Sequence, residues 1–414
     1  MAMNDRRSTG WSAVAATAFA AVLSGVAAGQ PCEPEWLQGD GLPGLFGEVN
    51  AMTKFDPDGE GPAAEVLVVA GNFTVAGNAA VNGLAQWDGS EWSPLRTPIG
   101  PAPIEQLEYF ALEVFDDGSG PALHLGGVFQ QIDGVVVNNI AKWDGSVWTP
   151  LQRPGGPPGT NNDVLALHVF DDGSGPALFA AGAFSSAGGV EAESIAKWDG
   201  AQWSSLRGTA GFQGLGGGDE ASALQVYDDG TGEALYVGGR FNRAGGINVE
   251  AGVARWDGTD WSALRAPNAQ LNGEVTALEE FNGSLYLGGQ FDLFVDNNFV
   301  PTQIIAWDGT DWDTVLGTTG AGVQGNVNSL RTSNVAGGEA LYVGGEIFSA
   351  GNFTVNSIAR WDGTSWGPLQ GGAINGVEGD VRAIVDFDDG SGRRLFVGGE
   401  FARAGGASAN SVAA

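Results

Sequence analysis

Cysteine is nearly missing: the 414-residue chain has one, Cys32. No intrachain disulfide can form, so the fold has to hold by packing alone. Histidine is scarce too, with two residues, which removes the usual Cys/His zinc sites. Positive charge is in short supply: 18 Lys and Arg stand against 49 Asp and Glu, a formal net charge of −31. Such a surface repels nucleic acid and anionic lipid and excludes both as main partners. Its remaining meanings are solubility and attraction of cations or basic partners.

Glycine is plentiful, with 69 residues, and the 14 tryptophans outnumber the 5 tyrosines. The glycines follow no three-residue period, which excludes collagen, and an apolar content of 43% excludes disorder. Many tight turns between short, aromatic-bearing strands have this composition.

At the N-terminus, Arg6 and Arg7 precede an apolar run from Trp11 to about Val26, and Val26-Ala27-Ala28 offers small residues for cleavage. This is the layout of a secretory signal peptide over residues 1–28. A transmembrane anchor competes with it, but the run is alanine-rich and short for a span. The expected location is secreted, periplasmic or cell-surface, with no membrane span after signal cleavage.

Internal repetition is the main signal. Trp-Asp-Gly recurs at Trp87, Trp143, Trp198, Trp256, Trp307 and Trp361, at intervals of 51 to 58 residues. A second tryptophan follows five positions later each time: Trp92, Trp148, Trp203, Trp261, Trp312 and Trp366. Upstream of each pair sits a strand-like segment ending in glycine, then a phenylalanine, as in Tyr236-Val237-Gly238-Gly239-Arg240-Phe241, and there are seven such glycine-ended segments. The glycine pairs read as turns. Residues 109–151 show one unit of four strands: Phe110–Phe115, Ala122–Gly127, Asn139–Trp143 and Val147–Leu151, with Asp-rich and Asp-Gly turns between. The fifth unit replaces Phe-Asp-Asp-Gly-Ser-Gly by the shorter Phe281-Asn282-Gly283-Ser284, a favoured two-residue hairpin. The expected fold is an all-β, seven-bladed β-propeller of four-stranded antiparallel blades over residues 29–414, in about seven repeats. The last unit lacks its fourth strand, and Glu35-Trp36-Leu37 resembles an isolated one, so the N-terminal strand is expected to close the ring. A fragment of a longer protein is the competing reading.

With paired glycines in the second strand and a tryptophan in the fourth, the unit resembles a kelch repeat over about residues 36–414. The phrase Val-Gly-Gly-x-Phe-x-x-Ala-Gly-Gly, then Ile-Ala-x-Trp-Asp-Gly-x-x-Trp, is similar to secreted repeat proteins of environmental bacteria and to the propeller of fungal cortical polarity markers. Kelch-like rings of seven blades also occur in galactose oxidase. Its copper site needs a cysteine joined to a tyrosine, a second tyrosine and two histidines. Here Cys32 lies outside the repeats and only His124 and His168 are available. The resemblance implies the fold and a binding or scaffolding habit, not the copper chemistry, and no cofactor is expected.

Aligning the units places Thr53, Glu113, His168, Gln225, Glu279, Arg331 and Val385 at one position of the innermost strand. Residues at one strand position share an orientation, so this set is expected at the central channel. It is either a hydrated lining or a binding site, with His168 beside Glu113 and Glu279 the acid/base candidates for a hydrolase or lyase. The Asp-rich turns at Asp56, Asp58, Asp116, Asp171, Asp228 and Asp388 read as turn chemistry, with calcium as the alternative for an adhesion module. Lys142, Lys197, Arg255 and Arg360 precede the blade tryptophans, either paired with carboxylates or gripping an anion. The tryptophans read as packing between blades rather than a carbohydrate platform. The function expected is that of a monomeric, non-enzymatic scaffold for an extracellular protein or glycan.

Overall fold

The computed structural model describes residues 44–59, 61–95, 107–216, 220–249, 252–265, 269–335, 337–369 and 375–414. The signal segment, Cys32 and Glu35-Trp36-Leu37 lie outside the described residues.

The described chain is all-β and carries one short 3-10 turn, Gly317–Thr319. Seven larger sheets of four or five strands follow one another along the sequence. Each begins with the strand expected from the sequence to be innermost: Leu45–Phe55, Glu108–Asp116, Val164–Asp171, Glu220–Asp228, Ala269–Phe281, Val323–Ser333 and Val377–Asp388. Every sheet pairs its strands antiparallel in chain order, as Glu108–Asp116, Pro121–Val128, Ile140–Trp143 and Trp148–Pro150 do. In the seventh, Val412–Ala413 stands in the third-strand place. Small hairpins between second and third strands, such as Gln131–Ile132 with Val135–Val136, add to this plan.

The Trp-Asp-Gly signal builds the hairpin between third and fourth strands. The two tryptophans of each pair sit directly opposite, Trp87 on Trp92 through Trp361 on Trp366, with ring centroids 4.8–5.4 Å apart. The aspartate closes the turn: Asp88 Oδ1 accepts the N–H groups of Ser90 and Glu91 at 2.8 Å, and the same geometry recurs at Asp144, Asp199, Asp257, Asp308 and Asp362. The glycine supplies the positive φ, 93–100° in all six turns. In the fifth sheet Asn282 and Gly283 both have positive φ, 51° and 74°, the two-residue turn expected there.

The glycine pairs are not turns. They lie inside the second strands, as Gly344 and Gly345 do within Ala340–Ala350. Opposite them, each first strand carries a β-bulge, at Asn50, Phe110, Leu165, Ser222, Thr276, Asn328 and Arg382. The bulge pushes a carbonyl at the second glycine. A Cβ on Gly71, Gly127, Gly182, Gly239, Gly289, Gly345 or Gly399 would stand 2.0–2.2 Å from the carbonyl oxygen of a first-strand residue. The first glycine makes room for the next sheet instead. A Cβ on Gly126, Gly238, Gly288, Gly344 or Gly398 would meet Val164, Val275, Val327, Val381 or Val49 at 2.4–2.7 Å.

Seven apolar clusters each join one sheet to the next, and one of them unites Val385, Phe387 and Phe396 of the seventh sheet with Val49, Leu67 and Trp87 of the first. Ten of the twelve hairpin tryptophans are under 9% exposed, which accounts for them as wedges between sheets. Burying each such side chain contributes on the order of 3 kcal/mol, well above the ~1 kcal/mol of a partly exposed ion pair. Both ends of the sheets are registered. The Asp-Gly turn of each of the first six sheets abuts the first turn of the sheet before it: Gly145 on Pro57, Gly200 on Asp117, Gly258 on Asp172, Gly309 on Asp229, Gly363 on Asn282, and Gly89 of the first sheet on Asp389 of the seventh.

Where the third and fourth sheets meet, Ala181 and Ala221 replace the Gly/Val combination. Gly288→Ala is therefore expected to destabilise the fold by about 1–3 kcal/mol through overpacking on Val327. Val327→Ala in the same chain should recover part of the loss, read as a non-additive double-mutant cycle in urea denaturation. Strict additivity would remove this account of the first glycine.

Candidate functional site

The alignment of the first strands holds in three dimensions. Thr53, Glu113, His168, Gln225, Glu279, Arg331 and Val385 pair with Val68, His124, Phe179, Tyr236, Tyr286, Tyr342 and Phe396, the same place in every sheet. The first six are half-buried; Val385 is buried and belongs to the cluster between seventh and first sheets. His168 Nδ1 lies 3.7 Å from Glu113 Oε2. Glu279 Oε1 accepts the Thr332 N–H at 2.9 Å, and Gln225 donates to the Val226 carbonyl at 3.3 Å. Arg331 reaches forward to Asp386 of the next sheet, Nη2 to Oδ1 at 3.3 Å, and its charge acts on both Glu113 and Glu279. It is the electrostatic hub of this set. Asp386 is the residue that sequence reasoning missed: it is 2% exposed and also receives Arg393. The run Val385-Asp386 looks like an ordinary strand, and only the register puts two cations on it.

Desolvation dominates here. It lifts the Glu113 carboxyl to about 7, against the Val114 N–H and the Arg331 charge, and it lowers His168 to about 4. Glu279 is raised by the same cause, opposed by the Thr332 N–H and Arg331. Near neutrality His168 is uncharged and Glu113 is partly protonated, an acid and a base side by side. The other histidine, His124, is fully buried beside Phe115 and outside this set.

The Asp-rich turns are internally bonded. Asp116 Oδ1 accepts the N–H groups of Gly118 and Gly120 at 2.8 and 2.9 Å, and Asp171, Asp228 and Asp388 repeat the pattern. Asp56 accepts from the Asp58 N–H, and Asp58 from the Ala63 N–H, both at 3.2 Å. The second aspartate of each pair takes the cation of its own sheet: Asp117 with Lys142 at 2.6 Å, Asp172 with Lys197 at 2.6 Å, Asp229 with Arg255 at 3.2 Å. Arg360 faces Tyr342 in the sixth sheet, whose first turn has no aspartate. Among the described residues no three His, Cys, Asp or Glu side chains converge as a metal site would require.

At the opposite end of the sheets stands a second constellation. Two residues before each bulge lies a carboxylate in six sheets, Glu48, Glu108, Asp163, Glu220, Glu274 and Asp380, with Asn326 in the sixth. Arg382 spans the seventh and first sheets here, 2.8 Å from Asp380 and 2.7 Å from Glu48, and Glu220 pairs with Arg240. Five exposed phenylalanines share this end: Phe46, Phe212, Phe299, Phe348 and Phe353, 43–65% exposed. All lie on the small hairpins, the connections between sheets, or the strand ends beside them.

The aligned set makes a sign-specific prediction. A carboxyl raised from 4.5 to about 7 on folding costs stability as pH rises through that interval, about 3 kcal/mol at most. His168, lowered from 6.5 to about 4, costs stability as pH falls through its own. Glu113→Gln should therefore be more stable than the parent at pH 8 and equal to it at pH 4.5, in urea titrations. Parallel stability–pH curves would sink this reading.

No protein-family model and no curated protein matches the sequence. Solved structures do. A crystal structure of BBS1N in complex with ARL6DN has 13% identity and a TM-score of 0.50, covering 92% of this chain and 96% of that one. YCF48 bound to D1 peptide has 10% identity and a TM-score of 0.44, covering 92% and 95%. The extracellular domain of a hybrid two-component system from B. thetaiotaomicron has 13% identity and a TM-score of 0.49; this chain spans 39% of its length and 92% of its own. The resemblance to BBS1N is one of fold, and the fold is β-propeller-like.

Proposed function

We propose that the chain is a non-enzymatic binding scaffold: an exported, kelch-like propeller of seven blades that engages an extracellular protein or glycan through its hairpin end. The observation that carries the reading is that, among the described residues, the five exposed phenylalanines are confined to that end. Exposed aromatic surface marks interaction sites. At the other end the aspartates of the Asp-rich turns are bonded to their own turns and cations.

Ring closure is supported by contacts across the first and last sheets. The Leu45 N–H donates to Asn410 at 2.8 Å, as Leu215 does to Glu193 at 2.9 Å and Val377 to Asn356 at 3.0 Å where a sheet follows its predecessor. Trp36 precedes Leu45 by 9 residues; Trp203 precedes Leu215 by 12 and Trp366 precedes Val377 by 11. In this reading Glu35-Trp36-Leu37 lies along Val412–Ala413 as its fourth strand. In the first sheet Pro94 faces Ala85, and the corresponding positions by sequence are 38 and 413. Gln38→Cys with Ala413→Cys, in a Cys32→Ser background, should oxidise to an intrachain disulfide; a purely intermolecular link would overturn the closure.

One observation favours a second reading, a hydrolase or lyase: the 3.7 Å approach of Glu113 and His168. The two readings separate by photo-crosslinking. A crosslinker at Phe353 should capture a discrete partner from the cell surface, and one at Val147, on the turn end, should not. Capture from Val147 alone, or from neither, would defeat the scaffold.

A further inference from the structure

We infer that the hairpin end docks a basic protein segment, one in which lysine or arginine side chains alternate with apolar ones. This inference rests on the scaffold reading and names its partner class. The apolar half of the argument is the set of exposed rings, which no element of the described chain covers. Phe212 forms one wall of a groove of about 670 Å³ between third and fourth sheets. Its ring packs on Gly246, where a Cβ would stand 2.4 Å from it, while 60% of the residue faces solvent.

The charged half decides which partner fits. The groove holds Glu191 and Glu193, both exposed, against a single cation, Arg243. In the carboxylate ring, Arg382 and Arg240 offset Glu48, Asp380 and Glu220, but Glu108, Asp163 and Glu274 have no cation partner among the described residues. An exposed ring beside uncompensated carboxylates, as Phe212 stands beside Glu191 and Glu193, recognises a cation twice, by charge and by the face of the ring. A neutral glycan would use the rings and leave the carboxylates idle. An acidic segment would meet repulsion from a chain of net charge −31.

The test uses the full mature chain and a short labelled peptide alternating lysine and leucine, followed by fluorescence anisotropy. Its glutamate–leucine counterpart and a neutral oligosaccharide serve as the other probes. Binding of the lysine peptide should fall about tenfold or more in a Glu108→Gln/Asp163→Asn chain, and again in a Glu191→Gln/Glu193→Gln/Phe212→Ser chain. A Glu91→Gln/Asp311→Asn chain, with the same charge change at the turn end, should bind within about twofold of the parent. Equal losses in all three variants, with melting temperatures unchanged, would reduce the effect to net charge and overturn the inference. Oligosaccharide binding that depends on Phe212, with no lysine-peptide binding, would overturn the basic partner and leave the scaffold standing. If neither probe binds and the Phe353 crosslinker captures nothing, both fall.

Discussion

The close approach of two backbones inside each sheet is the constraint on which the rest depends. The bulge in the first strand of each sheet drives a carbonyl to within van der Waals range of the second strand, and only a glycine leaves that space. Because the bulge adds one residue, it turns a side chain out of the ladder toward the neighbouring sheet. Asn50 reaches the Tyr109 carbonyl at 3.0 Å, Thr276 the Val327 carbonyl at 2.5 Å, and Asn328 the Asp380 carboxylate at 2.8 Å. One local irregularity thus sets strand twist, sheet-to-sheet spacing and the polar stitching between sheets. The apolar wedges supply most of the energy, and the bulge decides where they meet.

Local chemistry was legible in the sequence and pairwise chemistry was not. Trp-Asp-Gly announces its hairpin because carboxylate, glycine and both rings sit within six residues of one another. Asn282-Gly283 is legible for the same reason. The glycine pairs misled, since a turn and a close approach demand the same residue, and only the partner strand tells them apart. The set at Thr53 through Arg331 could be aligned from the repeat, but its hub could not. Arg331 draws its meaning from Asp386, 55 positions on, and from carboxylates on other sheets. The ring from Glu48 to Asp380 escaped notice because its members lie two residues before a bulge that no sequence pattern marks.

Among the aligned first-strand residues, like charges are kept apart by a shared counter-charge. Asp386 is almost wholly buried, and an unpaired carboxylate there would cost several kcal/mol. Arg393 and Arg331 satisfy it, and Arg331 then tempers Glu113 and Glu279 as well. Asp386 is thus answered within the chain, whereas Arg331 Nε has no hydrogen-bond partner and burial still raises the Glu113 carboxyl.

The two ends of the sheets spend the same residue type differently. At the turn end, the aspartates of the turns are committed: the carboxylates of Asp88, Asp144 and Asp308 are held below the usual range by backbone N–H groups. Asp117 is held low as well, since the Lys142 bond and charge outweigh the cost of its burial. These acids keep their charge and direct it into turn geometry. At the hairpin end Glu191 and Glu193 share a groove with the exposed ring of Phe212, and Glu108 and Asp163 have no cation partner among the described residues. A surface charge is screened beyond about 8 Å at physiological ionic strength, so it acts on whatever comes into contact rather than on the fold. Residues that neither stabilise a turn nor fill a core are the part of this chain free to meet something else.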